Sequence, residues 1–141
     1  MSEQVPAPTG FVELIGLDIQ EIGPDRVLAM LDVDERHHQP YGVVHGGIYC
    51  SIIETIASYG AVSWAVEQGI IGAVGVSNAT DFLRSHRTGR LRAVATPIHR
   101  GRTQQLWQVT VARDEDGALV ARGQVRLQNI TDMAVLGGSK G

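Results

Sequence analysis

The residue types best suited to chemistry lie in one stretch, where His45, Gly46 and Gly47 are followed by Glu54. Two adjacent glycines at the start of a predicted helix let a substrate approach the backbone closely. The first helical turn carries free N–H groups and a partial positive charge, which favour a developing oxyanion. Glu54 is a lone carboxylate in the mostly apolar run that follows, and we expect it to be buried. This combination predicts nucleophilic or acid–base chemistry at a carbonyl group.

The element that positions Glu54 is predicted to be a long helix, from Gly46 to about Glu67. Apolar residues recur at spacings of three and four residues between Ile48 and Trp64, which is the pattern of a helix. The run is apolar around most of its circumference, as is typical of a buried helix. Gly69 is expected to end it.

Alternating apolar residues predict strands on both sides of this helix, two before it and four after it. Turn signals such as Gly23-Pro24-Asp25 and Asp114-Glu115-Asp116-Gly117 separate them. The fold class is therefore α+β, with an antiparallel sheet of about six strands wrapped around one long central helix. The predicted strands cover Gly16–Glu21, Arg26–Val33, Val74–Arg84, Leu91–His99, Gln105–Arg113 and Leu119–Asn129.

Length and composition restrict the class of protein. The 141 residues, 43% hydrophobic and 19% charged, predict one folded domain. We expect a flexible N-terminal segment over 1–10, the domain over 11–130 and a flexible tail over 131–141. A net charge of -3 offers no surplus of cations for nucleic acid, and no apolar run reaches the ~18 residues of a membrane span. Without a targeting signal, the predicted location is the cytoplasm.

Metal and disulfide chemistry are not expected. None of the five histidines has the spacing of a helical metal motif. The single cysteine, Cys50, excludes an intramolecular disulfide, and its position within the helix favours a small core residue over a nucleophile.

The distance between the candidate groups predicts a homodimer. Gly46 and Glu54 are eight residues apart, or about 12 Å along a helix that rises ~1.5 Å per residue. That is too far for both groups to serve one carbonyl. Two antiparallel helices related by a two-fold axis would bring Glu54 of one chain near Gly46 of the other, so the sites would be shared.

His45-Gly46-Gly47, with Glu54 nine residues after the histidine, resembles the hotdog-fold acyl-CoA thioesterases. The similar branch contains the Arthrobacter-type 4-hydroxybenzoyl-CoA, phenylacetyl-CoA and 1,4-dihydroxy-2-naphthoyl-CoA thioesterases. The resemblance covers roughly Phe11 to Ile130 and includes the runs Asp81–Arg84 and Pro97–Trp107. It implies hydrolysis of an acyl-CoA or aroyl-CoA to free acid and CoA. It also implies that CoA is part of the substrate, that no separate cofactor is needed, and that the chain forms a homotetramer built as a dimer of dimers.

The resemblance also implies roles for individual residues. Glu54 would attack the thioester or activate water, and the Gly46 N–H would polarise the carbonyl. Gln39 would assist at the carbonyl or the water, His45 would orient the site or contact the sulfur side, and Ser58 would hold the carboxylate or the water. The positions that match CoA contacts are Arg84, His99, Arg102 and Thr103; an acyl pocket is expected from Tyr41, Gly47 and Tyr49.

Two other functions fit the same fold. One is a dehydratase or hydratase acting on an acyl thioester, although these enzymes usually pair the helical acid with a histidine in a different loop motif. The other is a non-catalytic acyl-CoA-binding module, against which the intact Glu54 argues. The sequence leaves open the identity of the acyl group and whether the carboxylate acts as nucleophile or general base.

Overall fold

Six antiparallel strands surround one long helix in the computed structural model, which describes residues 7–137. This arrangement confirms the predicted α+β class. All six predicted strands are present, with ends within two residues of the predicted bounds. In chain order the elements are α1 (Gly10–Ile15), β1 (Asp18–Ile22), β2 (Val27–Val33), α2 (Gly46–Glu67), β3 (Gly72–Phe82), β4 (Gly89–Arg100), β5 (Gln104–Arg113) and β6 (Leu119–Ile130).

The strands form a single sheet in the order β1-β2-β4-β5-β6-β3. Because α2 contacts all six of them, the sheet must curve around the helix. β3 pairs with β6 on one side only, so its other side is a free edge. This edge strand follows α2 in the chain and lies beside it.

The core lies between one face of α2 and the inward face of the sheet. Ile52, Ile53 and Ile56 of the helix are fully buried there together with Trp107 of β5. The indole ring of Trp107 lies so close to α2 that a Cβ at Gly60 would be 2.5 Å from it. Glycine is therefore needed at this contact.

The helix α2 has the predicted bounds, Gly46–Glu67, and Gly69 follows its end with a positive φ of 79°. The prediction that it is buried almost all round is wrong for the single chain. Glu54 is exposed and Thr55, Ser58 and Val62 are only half-buried, because the sheet covers one side of the helix and leaves this open face uncovered.

Two short helical elements border the segments predicted as flexible: α1 shares only Gly10 with the segment 1–10, and a 3₁₀ turn lies within the segment 131–141. The helix α1 begins at Gly10, and the Leu14 carbonyl accepts a hydrogen bond from Arg36 Nη1 at 2.8 Å. The six residues of α1 are too few to show a helical period. A single 3₁₀ turn spans Met133–Leu136. Residues 1–6 and 138–141 of the predicted flexible segments lie outside the described residues, and the domain bounds stay a prediction.

Candidate active site

His45 caps the N-terminus of α2. Its ring Nδ1 accepts a hydrogen bond from the Gly47 N–H at 2.8 Å, and its backbone N–H donates to the His37 carbonyl at 2.8 Å. Within residues 7–137 the Gly46 N–H has no hydrogen-bond partner, so it can donate to a ligand. The Phe82 ring lies over Gly46, where a Cβ would be 2.6 Å from the ring. The histidine thus orients the helix start, and Gly47 uses its N–H in the cap.

Glu54 lies on the open face of α2, eight residues after Gly46. The prediction that its side chain is buried is wrong for the single chain, where it is exposed. Its carboxylate lies beside Gly75 of β3, and a Cβ built on Gly75 would be 3.3 Å from Oε2. The register of β3 against β6 shifts between Gly75 and Ser77, so a bulge lies beside the carboxylate. Such bulges occur often near active sites, where they redirect the strand.

Polar side chains attach β3 to the helix one turn before Glu54. Asn78 Nδ2 donates to the Cys50 carbonyl at 3.1 Å, and the Thr80 hydroxyl donates to Asn78 Oδ1 at 2.6 Å. Cys50 itself is half-buried rather than a core residue, because it borders the open face.

Two grooves flank the Glu54 side chain. The larger, of about 390 Å³, is mostly apolar. The smaller, of about 250 Å³, lies toward the start of the helix. Ser58 and Glu54 line the larger groove together, while Phe11 and Val12 of α1 add walls that sequence reasoning missed. The larger groove is lined by Val12, Glu54, Thr55, Ser58, Tyr59 and Val62; the smaller by Phe11, Cys50, Ser51, Glu54 and Thr55.

Gln39 and Tyr41 lie in the loop before α2. Gln39 Oε1 accepts a hydrogen bond from the Tyr41 N–H, and Gly42 completes the turn with a φ of +79°. Arg87 Nη1 donates to the Gly42 carbonyl at 3.2 Å and restrains the loop. Tyr41 is 85% exposed, so the single chain does not bring its ring to the grooves beside Glu54.

The structure does not support Tyr49 as a wall of these grooves. Its ring is 3% exposed and lies 6.0 Å from the Phe82 ring. Tyr49 precedes Glu54 by five residues, which at ~100° per residue places it about 140° around the helix, on the side of the sheet. Burial raises the pKa of Tyr49 to about 12, and its hydroxyl has no hydrogen-bond partner in the described part of the chain.

The predicted CoA contacts fall into two separate groups. His99, Arg102 and Thr103 line one cavity of about 560 Å³, together with Arg126. Arg84 lies at the other end of β6, where its Nε donates to the Leu119 carbonyl at 3.4 Å. Seven residues separate Leu119 from Arg126, or about 23 Å at ~3.3 Å per strand residue. One chain therefore cannot bring Arg84 and the other group to the same phosphate.

Arg126 is the cation that sequence reasoning missed. Alternation along β6 places it on the polar face of the strand, but only the sheet pairing brings it beside the turn that contains Arg102. It pairs with Leu106 of β5, which follows that turn.

Two other kinds of feature are absent from residues 7–137. Among residues 7–137, no three His, Cys, Asp or Glu side chains are grouped so that they could hold a metal ion. Over the same range, no helix combines the length and the apolar character that crossing a membrane would require.

A family model described as the thioesterase superfamily matches residues 41–120. The match includes His45, Gly46, Gly47 and Glu54. This chain belongs to the thioesterase superfamily. Membership agrees with the fold and with the predicted class of enzyme, so the chain is a thioester hydrolase of the hotdog fold.

Several known proteins are similar to this chain over most of their length. The Mycobacterium tuberculosis protein Rv1847 is 50% identical over 134 residues, covering 92% of this chain and 95% of that protein. Its solved structure matches with a TM-score of 0.83 over 86% of this chain and 97% of that one. The Escherichia coli 1,4-dihydroxy-2-naphthoyl-CoA hydrolase is 34% identical over 108 residues, 77% of each chain. The structure of thioesterase HI1161 from Haemophilus influenzae, 35% identical, matches with a TM-score of 0.78 over 85% and 82% of the two chains.

Proposed function

We propose that this thioester hydrolase cleaves acyl-CoA or aroyl-CoA thioesters with Glu54 as its catalytic carboxylate. The observation that carries the proposal is the position of Glu54 between two grooves on the open face of α2. The larger groove presents Val12 and Val62 to an acyl group, next to a carboxylate that solvent can reach. The name of the Escherichia coli relative supports CoA thioesters as the substrate class.

Hydrolysis of a thioester needs a hydrogen-bond donor to the carbonyl oxygen and a carboxylate near the carbonyl carbon. The Gly46 N–H, at the positive end of the helix, would donate to the thioester oxygen and stabilise the oxyanion that forms there. Glu54 would then attack the carbonyl carbon, expelling CoA thiolate and leaving an anhydride that water cleaves. In the other course, Glu54 would remove a proton from water as the water adds to the carbonyl, and the tetrahedral intermediate would expel the thiolate. Both courses yield the free acid and CoA.

We propose that each site is shared between two chains. Gly46 and Glu54 lie about 12 Å apart along one unbroken helix, too far to act on one carbonyl. The free edge of β3 carries exposed Val74 and Val76, at 39% and 56%. Such long apolar edges are unusual unless another strand covers them. Antiparallel pairing of β3 with its copy would extend the sheet and bring the open faces of α2 together. A dimer of dimers stays a prediction from the resemblance.

The test of the function is release of free CoA thiol from a panel of fatty acyl-CoA and aryl-CoA esters. We expect wild type to turn over at least one ester and Glu54→Gln to lose about 10²-fold or more in kcat. The control is Glu67→Gln, which removes the exposed carboxylate at the far end of the same helix. Near-normal turnover by Glu54→Gln, or an equal loss in Glu67→Gln, would refute the assignment of Glu54.

Mixed dimers test whether the site is shared. A Glu54→Ala chain paired with a Gly46→Val chain should recover one active site per dimer, because the intact carboxylate and the intact N–H lie on different chains. The reciprocal control pairs wild type with a chain that carries both changes. If sites are shared, both sites of that dimer are broken; if each chain forms its own site, one survives. Activity in the control and none in the first mixture would refute the sharing.

A further inference from the structure

Three successive carbonyl groups in the turn between β4 and β5 accept hydrogen bonds from one residue. Asn129, near the end of β6, donates from Nδ2 to the carbonyls of Gly101 at 3.0 Å and Arg102 at 2.8 Å. Its backbone N–H donates to the carbonyl of Thr103 at 2.9 Å. Asn129 is 4% exposed, so the turn is attached to a residue of the protein interior.

The orientation of the Asn129 amide is set by Gln105. Gln105 Nε2 donates to Asn129 Oδ1 at 2.8 Å and to the Ala61 carbonyl of α2 at 3.1 Å. Gln105 Oε1 accepts from Trp107 Nε1 at 2.8 Å. Buried amides are costly unless they are hydrogen-bonded, and here Oδ1 is already used by Gln105. Nδ2 of Asn129 must therefore face the turn, which links the turn to the central helix.

The turn consequently presents its N–H groups outward. In a trans peptide the N–H points away from the preceding carbonyl, and the described residues contain no cis peptide. The N–H groups of Arg102 and Thr103 therefore point away from Asn129. Neither donates to another group within residues 7–137. Arg102 and Thr103 line the cavity of about 560 Å³, whereas Asn129 does not.

The cavity suits an anion. Its lining residues include His99, Arg102 and Arg126 and contain no Asp or Glu. Outward N–H groups of successive residues make a further contribution, because such backbone arrangements bind phosphate. Gly101 allows the packing, since a Cβ there would lie 2.8 Å from His99 Nε2 and 3.0 Å from the Gln104 carbonyl.

We propose that Asn129 is a positioning residue for the phosphate-bearing end of the CoA thioester: by drawing three carbonyls of the turn inward, it directs the N–H groups of Arg102 and Thr103 toward a CoA phosphate. The inference rests on the proposed function. Asn129 is buried and far along the chain from Glu54, and we expect it to affect substrate binding rather than bond cleavage.

The experiment compares substrates with and without the nucleotide. For Asn129→Ala we expect KM for an acyl-CoA to rise about tenfold or more, the size expected for losing charge-assisted hydrogen bonds. We expect kcat, and KM for the pantetheine thioester of the same acid, to change less than twofold. Calorimetric binding of adenosine 3′,5′-bisphosphate should weaken by a similar factor, which gives a readout independent of turnover.

Two further variants separate positioning from general stability. Val111→Ala removes part of a fully buried side chain six residues beyond Gln105 along β5, so it should lower Tm with KM for acyl-CoA nearly unchanged. Gly101→Ala displaces the turn through contact with His99 and the Gln104 carbonyl, so it should raise KM for acyl-CoA as Asn129→Ala does. This variant tests the proposal if Asn129→Ala does not fold. Equal KM changes in Val111→Ala and Asn129→Ala would overturn the proposal, as would unchanged KM in both Asn129→Ala and Gly101→Ala.

The outcomes also separate this inference from the proposed function. If wild type released no thiol from any acyl-CoA, the function would be refuted, and the binding of adenosine 3′,5′-bisphosphate would still decide the role of the turn. If wild type turned over acyl-CoA while Asn129→Ala and Gly101→Ala bound the bisphosphate like wild type, only the inference would fail.

Discussion

The contact between Gly75 and the Glu54 carboxylate allows the catalytic assignment to be tested without changing the carboxylate. A Cβ at Gly75 would lie 3.3 Å from Oε2 of Glu54, which is tighter than ordinary van der Waals contact. In Gly75→Ala the carboxylate must therefore move by about a few tenths of an ångström to relieve the contact. Since β3 is hydrogen-bonded to β6 and α2 is fixed by the core, the exposed Glu54 side chain is the part that moves.

The expected loss can be estimated from that displacement. A misplacement of ~1 Å can cost about 10²-fold in rate, which corresponds to about 2.7 kcal/mol in the barrier. A shift of about 0.3 Å then costs about fourfold in kcat, if the barrier rises in proportion. Gly75→Val adds two methyl groups and should cost more. Both losses stay well below the ~10²-fold expected for Glu54→Gln.

The assay is kcat for the best acyl-CoA ester, with Tm measured in parallel. The matched control is Gly72→Ala in the same strand, where an added Cβ meets nothing within 4 Å. Both substitutions replace a strand glycine by alanine, so their backbone effects on stability should be alike. A kcat in Gly75→Ala and Gly75→Val equal to that of Gly72→Ala would refute the idea that the carboxylate beside Gly75 carries the chemistry.

Three further outcomes are expected. Arg84→Ala and Arg102→Ala should each raise KM for acyl-CoA more than they lower kcat, and leave a short thioester without the nucleotide unaffected; an equal loss on the short thioester would exclude phosphate contact. Tyr49→Phe should raise the free energy of unfolding by about 1 kcal/mol, since it removes a buried hydroxyl without a partner in residues 7–137. Burial raises the Tyr49 pKa from 10.0 to about 12. The stability that wild type gains from this shift is therefore fully present below pH 10 and declines toward pH 12. Urea unfolding at pH 8 and 11 should show a smaller decline in the free energy of unfolding for Tyr49→Phe than for wild type. Gly60→Ala should destabilise by about 1–3 kcal/mol, because its Cβ would be 2.5 Å from the Trp107 ring, and an unchanged Tm would refute that packing.

The strands and the long helix could be read from the sequence because their signal is local. In β6 the apolar and polar residues alternate from Leu119 onward, and the turn Asp114–Gly117 marks where the hairpin reverses. The helix α1 was missed for the opposite reason, since its six residues are shorter than two helical turns and its position depends on Arg36 and His37 from a later loop.

The expectation of a buried Glu54 shows where a sequence pattern stops being informative. The spacing of apolar residues predicts a helix that is buried around most of its circumference. It could not say which contacts come from the same chain. The sheet of this chain covers only the side that carries Ile52, Ile53 and Ile56, and in the proposed dimer the second chain would cover the open face.

The α+β class and the bounds of α2 could be predicted from the sequence, as could the turn positions and the spacing of about 12 Å between Gly46 and Glu54 on one helix. Each of these depends on neighbours within a few residues. Which distant residues meet depends instead on how the strands pair and pack. The sheet pairing joins Arg126 to the turn that holds Arg102, separates both from Arg84, and sets Gly75 against Glu54. It also attaches that turn to Asn129 through three carbonyls. Such contacts join residues far apart in the chain, so no local period or spacing records them.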